Sequence, residues 1–181
     1  MCPEFCFNGA FMSLEGNAAG ISRQEELGVN LPKIEHLFSY KVFIKIPPEM
    51  IGPVPEGIRV NIYLTGGEVN GPRCVGRLLP VGADWLVIRP DGVGIVDVRA
   101  TIEMNDDALV YAAYTGVIDL GPDGYHAYLN GDAPPTFPIR TCPRYLTASP
   151  QYAWMNRIQA YGVGEVDLFN GVVSAHIYAA L

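Results

Sequence analysis

Asp84 stands beside Trp85, just after the Gly82 turn and at the start of a strand. A carboxyl group packed against an indole loses hydration, which raises its pKa toward that of a general acid. The competing reading is a turn cap, in which the carboxylate accepts backbone N–H bonds and its pKa falls. Asp97 and Arg99 are two apart on a strand and share a face. Arg59, Asn61 and Tyr63 do the same on an earlier strand. An arginine cannot serve as a base, but it can hold a phenolate or enolate. Exposed cross-strand pairs worth ~0.2–1 kcal/mol are the alternative. His176 and Tyr178 share a face of the last strand, and histidine is the natural proton shuttle near neutral pH. A surface or hydrogen-bonded core histidine is the alternative reading. Tyr111 and Tyr114 are phenolic donors or core aromatics that need one partner each.

The candidate set places Asp84 as acid, with Arg59 and Arg99 holding an oxyanion. Tyr111, Tyr114 and His176 follow as further catalytic candidates. Trp85, Asn61, Tyr63, Asp97 and Tyr178 would line the substrate site. Asp119, Asp123, Asp132 and Asp167 are scattered over turns, so no metal site is read.

These residues sit in segments of period two. His36 to Ile46 alternates and stops at Pro47-Pro48; Ile58 to Leu64 stops at Gly66-Gly67. Arg73 to Leu79 and Trp85 to Arg89 are separated by a turn at Pro80–Gly82. Gly94 to Met104 alternates strictly, Leu109 to Ile118 is apolar on both faces, and Val172 to Ala180 is the last strand. Pro122-Asp123-Gly124 reads as a turn and Ala133–Pro138 as a surface loop. Ser22 with Glu25 resembles a capping box for a helix over residues 22–28. Ser149-Pro150 opens a second helix over residues 149–161. At least seven short strands with turns every ~10 residues predict an all-β fold, a single antiparallel β-barrel. Closure removes sheet edges, which favours a barrel over a sandwich. Residues 1–32 form an N-terminal arm with its short helix, and residues 33–181 the barrel domain.

Composition narrows the function classes. The 181 residues are 49% hydrophobic and 17% charged, which excludes general disorder. Net charge is −7 with no basic cluster, against nucleic acid or an anionic membrane as partner. Cys2, Cys6, Cys74 and Cys142 match no zinc spacing and read as free thiols. No basic, apolar leader and no run of 18 apolar residues is present, so a cytoplasmic protein is expected. No P-loop, GxGxxG at a strand–helix turn, GxSxG, HExxH or CxxC occurs, and no cofactor is expected.

An ordered set of short motifs carries a family resemblance. It runs through Gly57-Ile58-Arg59, Thr65-Gly66-Gly67, Gly71-Pro72-Arg73, Gly76 to Pro80 and Gly82-Ala83-Asp84-Trp85. It continues through Arg89 to Gly92, Asp97-Val98-Arg99, Asp106-Asp107-Ala108 and Tyr152 to Asn156. Over residues 35 to 181 the chain resembles the domain of unknown function 3237 family of bacteria and fungi. The resemblance implies an antiparallel barrel, lipocalin-like or allene-oxide-cyclase-like. It also implies a place beside catabolic and secondary-metabolite genes. Some fungal relatives are thought to cyclise or isomerise aromatic or isoprenoid molecules without a cofactor. Two departures stand out: Asp106-Asp107 where the family usually has Asp-Gly, and Leu146 where it often has an acid.

The expected function is a cofactor-independent isomerase, cyclase or lyase working by acid–base catalysis on a small hydrophobic aromatic or isoprenoid metabolite. The alternative is a non-catalytic barrel that binds small hydrophobic ligands. Because Leu109 to Ile118 is apolar on both faces, one of them needs a cover, and a homodimer or higher homo-oligomer is expected. Sedimentation that finds only a 19.7 kDa monomer at micromolar concentration would contradict this.

Overall fold

Strands form where apolar residues recur at every second position, and eight of the nine strands among the described residues follow that rule over most of their length. The computed structural model describes residues 32–180. The expected arm, but for its last residue, and the helix over residues 22–28 lie outside the described residues, as do Cys2 and Cys6. In chain order the elements are β1 (Ile34–Ile44), β2 (Glu49–Val54), β3 (Gly57–Asn70), β4 (Val75–Ile88), β5 (Val93–Met104) and β6 (Leu109–Asp119). The helix α1 (Gly124–Asn130), β7 (Thr136–Leu146), a 3-10 turn (Ala153–Arg157), β8 (Gln159–Asp167) and β9 (Val172–Ala180) follow.

From β3 to β9 each strand pairs antiparallel with the next, β9 pairs with β1, and β1 closes the ring on β3. Eight strands thus form a closed antiparallel barrel, with β2 as an extra strand. Pro47-Pro48 interrupts the first strand, so β1 pairs with the late half of β3 and β2 with its early half. Inward residues of the eight barrel strands make one core, including Ile58, Ile88, Ile102, Val110 and Ile177.

Five readings need correction. Gly66-Gly67, read as the end of the strand from Ile58, lie within β3, which runs on to Asn70 in pairing with β1 and β4. The segments at Arg73–Leu79 and Trp85–Arg89 are one long strand, β4, and Pro80–Gly82 is a bulge within it rather than a turn. The β4 register slips against both neighbours between Leu78 and Gly82. Pro80 and Val81 stay on the surface, and the inward face resumes at Asp84, Leu86 and Ile88. The stretch read as a Pro-rich loop enters β7, where Phe137, Ile139, Thr141, Pro143 and Tyr145 are all buried. Its alternation is masked by Pro138 and Pro143, which lack the N–H of a ladder residue. Pro122-Asp123-Gly124 leads into α1, which Gly131 ends in a left-handed conformation.

The helix expected over residues 149–161 is only the 3-10 turn, and β8 begins at Gln159. Tyr152 and Met155 of this segment turn inward and stop one end of the barrel. Asn156 fixes it by accepting the Thr147 N–H at 2.8 Å and donating to the Thr147 carbonyl at 2.9 Å. The Arg73 guanidinium lies 3.8 Å over the Trp154 ring. At Asp106-Asp107, Asp107 itself takes a φ of 62°, the left-handed conformation glycine would adopt. Leu109, Tyr111 and Val117 are exposed on the outer face of β6. Among the described residues no helix is long and apolar enough to cross a membrane.

The bulge of β4 depends on Gly82, whose φ is +102° and whose added Cβ would lie 2.0 Å from the Arg99 carbonyl oxygen. Gly52 has the same φ sign with nothing within 4 Å. Gly82→Ala should therefore lower stability in urea by roughly 2 kcal/mol or more, and Gly52→Ala by clearly less. Equal losses would show that the close approach at Gly82 contributes nothing.

Candidate functional site

The barrel interior opens into a cavity of about 60 Å³. A water needs ~10–15 Å³ of such space, so the cavity has room for about one small ring. Its wall is mostly aliphatic, with Val42, Ile44, Ile62, Leu64, Leu86 and Ile139 among the lining residues. Polar groups enter it from Asp84, Thr141 and three tyrosines, Tyr40, Tyr114 and Tyr128.

Asp84 faces Ile62 on β3 and Val98 on β5, both in the cavity wall. Its neighbour Trp85 necessarily points the other way, since successive strand residues alternate. Trp85 is 39% exposed and packs edge-on to Tyr63 on the outer surface. The indole therefore does not desolvate the carboxyl; the barrel interior does. Between the pairs Asp84–Val98 and Val87–Ile95 the β4–β5 pairing lapses. In that gap the Asp97 backbone N–H donates to Asp84 Oδ1 at 2.9 Å. Burial pushes Asp84 up to about 7, and the Asp97 carboxylate adds to the rise. The backbone bond and the Arg59 guanidinium oppose it without cancelling it. The two readings of Asp84 thus meet in one residue: it accepts a backbone N–H, from a strand and not a turn, and burial outweighs that bond.

Strand parity separates the remaining candidates. Arg59, Asn61 and Tyr63 share the outer face of β3, so the expected oxyanion-holding role of Arg59 has no access to the cavity. Arg59 donates to the Trp85 carbonyl at 2.6 Å. Asn61 and Tyr63 donate to Glu49 Oε2 of β2, at 2.7 and 2.8 Å, and hold its carboxyl below the usual range. Arg99 pairs with Asp97 on the outer face of β5. Tyr111 is 41% exposed. His176 and Tyr178 lie on the outer face of β9. There His176 Nδ1 is 2.7 Å from Ser39 Oγ, which lies 3.2 Å from His36 Nε2. Of the catalytic candidates, only Asp84 and Tyr114 reach the cavity. The Tyr114 hydroxyl is sealed, as are Thr141 Oγ1 and the Tyr145 hydroxyl. Leu146, at the position of the missing acid, is 51% exposed and points away from the interior.

Tyr40 and Tyr128 are cavity residues that the sequence reading misses. In the sequence Tyr40 is one apolar position of the first strand, and Tyr128 lies in a segment that reads as a turn. An aromatic ladder leads to Tyr40: Phe38 against Tyr145, Tyr145 against Tyr114, and Tyr114 stacked on Tyr40 with centroids 5.9 Å apart. Among the described residues no group of three or more His, Cys, Asp or Glu side chains converges as metal ligands do.

An acid with a higher pKa in the folded than in the unfolded state binds its proton more tightly when folded. Its contribution to stability is full below about pH 4 and is lost as pH rises through about 7. Asp84→Asn removes this dependence. The variant should match the wild type near pH 4 and exceed it at pH 8 by a few kcal/mol, since each tenfold change in proton affinity is worth roughly 1.4 kcal/mol. Urea titrations of both proteins across this range check it, and a constant difference would place Asp84 in a solvated setting.

The protein is similar to others throughout the barrel. A family model described as protein of unknown function, DUF3237, matches residues 32–179. A UPF0311 protein of Rhodopseudomonas palustris is 35% identical over 128 residues, covering 69% of this chain and 83% of the relative. A UPF0311 protein of Clostridium acetobutylicum is 32% identical over 124 residues, covering 67% and 78%. Among solved structures, a protein of unknown function from Clostridium acetobutylicum superposes with a TM-score of 0.75 at 26% identity, over 83% of this chain and 100% of that one. A β-barrel-like protein from Acinetobacter baumannii gives 0.69 at 27% identity, over 84% and 99%. An enzyme from Penicillium herquei shares the fold, with a TM-score of 0.59 at 20% identity over 83% and 96%. With its family model matched from end to end of the barrel and a relative a third identical, the chain belongs to the DUF3237 family of proteins of unknown function.

Proposed function

We propose that this barrel is a cofactor-independent isomerase, cyclase or lyase that moves a proton on a small hydrophobic molecule held inside it. The observation that carries this reading is Asp84, a carboxyl with a pKa of about 7 on the wall of an otherwise mostly apolar cavity. Near neutral pH such a group is present in both forms, the condition for efficient proton transfer. Protonated, Asp84 donates to an alkene, epoxide or carbonyl. As a carboxylate it then takes a proton from another position of the same molecule. One proton is given and one recovered, so rearrangement, ring closure or elimination proceeds without change of oxidation state. A barrel of this shape also belongs to a protein described as an enzyme, which makes catalysis compatible with the fold and adds nothing about substrate. Aromatic and isoprenoid metabolites are the substrate class this reading favours. It includes a homo-oligomer, in which a second copy covers the outer face of β6, and action in the cytoplasm.

Incubation with a panel of small neutral aromatic and isoprenoid phenols, alcohols and ketones, followed by mass spectrometry and chromatography, tests the reading through its isomeric or cleaved products. Turnover should fall as pH rises through about 7. Asp84→Asn should lower it by about 10²–10⁴-fold while leaving ligand affinity nearly unchanged. An Asp84→Asn protein of undiminished activity would sink the assignment. Binding without turnover across the panel would mark the barrel as a carrier.

A further inference from the structure

We propose that Tyr40 is the residue that binds the oxygen of the ligand, and that the cavity therefore selects neutral molecules carrying a hydrogen-bond acceptor oxygen. The inference rests on the Asp84 reading for where the chemistry occurs, and adds what holds the molecule there. With Arg59 and Arg99 on the outer surface, no described cation lines the cavity. An oxygen that gains negative charge during reaction must then be met by a neutral donor.

The hydroxyl groups of the cavity are not equivalent. Those of Tyr114 and Thr141 are sealed by surrounding atoms. Tyr40 makes no hydrogen bond to a described residue, and its side chain lines the cavity. Burial raises its pKa well above the usual range, and the neighbouring charges of Tyr114 and then Asp84 add to the rise. Tyr40 is thus a donor that stays protonated, beside an acid that titrates. Its ring is fixed by stacking on Tyr114, which Tyr145 and Phe38 support in turn. Tyr128 of α1 lines the same cavity, and burial, with the Asp84 charge second, raises its pKa, so it too stays protonated. A carboxylate ligand is disfavoured twice, by the missing cation and by Asp84.

Fluorine NMR titrations of the full chain with 4-fluorophenol, 4-fluoroanisole, 4-fluorotoluene and 4-fluorobenzoate test the proposal at pH 8. The phenol and the anisole should bind about ten-fold tighter than the toluene, the worth of one neutral hydrogen bond, and the benzoate weakest. Tyr40→Phe should reduce the preference to within about two-fold, with little change in melting temperature, because its hydroxyl has no described partner to lose. Asp84→Asn should keep the preference, so a failure of the catalytic reading would leave this result standing. A preference that survives Tyr40→Phe, or that vanishes in Asp84→Asn alone, would overturn the assignment. The wild-type comparison needs no variant: if the phenol binds but the anisole does not, the ligand donates to Asp84 and Tyr40 is not its partner. Failure of the wild type to bind any of the four below millimolar concentration would also overturn it.

Discussion

A single carboxyl group held inside an apolar barrel sets the terms for the rest of this protein. Burying an ionised carboxylate is costly, and a protein can offset the cost by pairing it with a cation or by letting it take up a proton. Here the guanidinium that acts on it, that of Arg59, belongs to the outer face, and the Asp97 backbone N–H is the hydrogen bond that the group accepts among the described residues. One N–H is too little to keep Asp84 ionised and enough to fix its direction. The gap in β4–β5 pairing, the bulge of β4 and the positive φ at Gly82 all serve this one placement.

The two ends of the barrel differ in construction. One is stopped by the 3-10 turn, tied down by Asn156, Thr147 and the Arg73–Trp154 contact, with Met155 wholly buried beneath it. Phe38, Tyr145 and Tyr114 fill the space from that stop toward Tyr40, so rigidity is delivered to the cavity through rings in contact. Toward Tyr128 stands α1, seven residues long, with the left-handed glycines Gly121 and Gly131 on either side and nothing within 4 Å of either Cβ position. Space for a ligand lies between a fixed floor and a short helix, a division suited to admitting a molecule without loosening the strands.

Alternation makes much of the barrel readable from sequence, because period two is imposed by the pleat itself. Residues such as Gly94 to Met104 could hardly be anything but a half-buried strand. Parity is readable but its sense is not: nothing in Arg59, Asn61 and Tyr63 says whether that face looks in or out. The composition of the opposite face, Val60, Ile62 and Leu64, holds the answer, since an eight-stranded interior is filled by side chains and is mostly apolar. Trp85 draws attention to Asp84 in the sequence, although the indole has no part in its burial. Tyr40 escapes notice because a tyrosine in an apolar row looks like packing. Proline hides β7 by a different route: local chemistry that argues for a loop is overruled by neighbours on both sides.

The interrupted first strand has a consequence for self-assembly. Where β1 gives way at Pro47-Pro48, the ring is completed by β3, and among the described residues β2 is paired along one side only. An unpaired strand edge is a template on which another chain can add, and Met50 and Ile51 there are about half exposed. Gly52 and Pro53 blunt that template: the first takes a φ that bends the strand at its register shift with β3, the second brings no N–H. The segment that lets β3 close the barrel thus leaves an edge whose next two residues make it a poor template for a further strand.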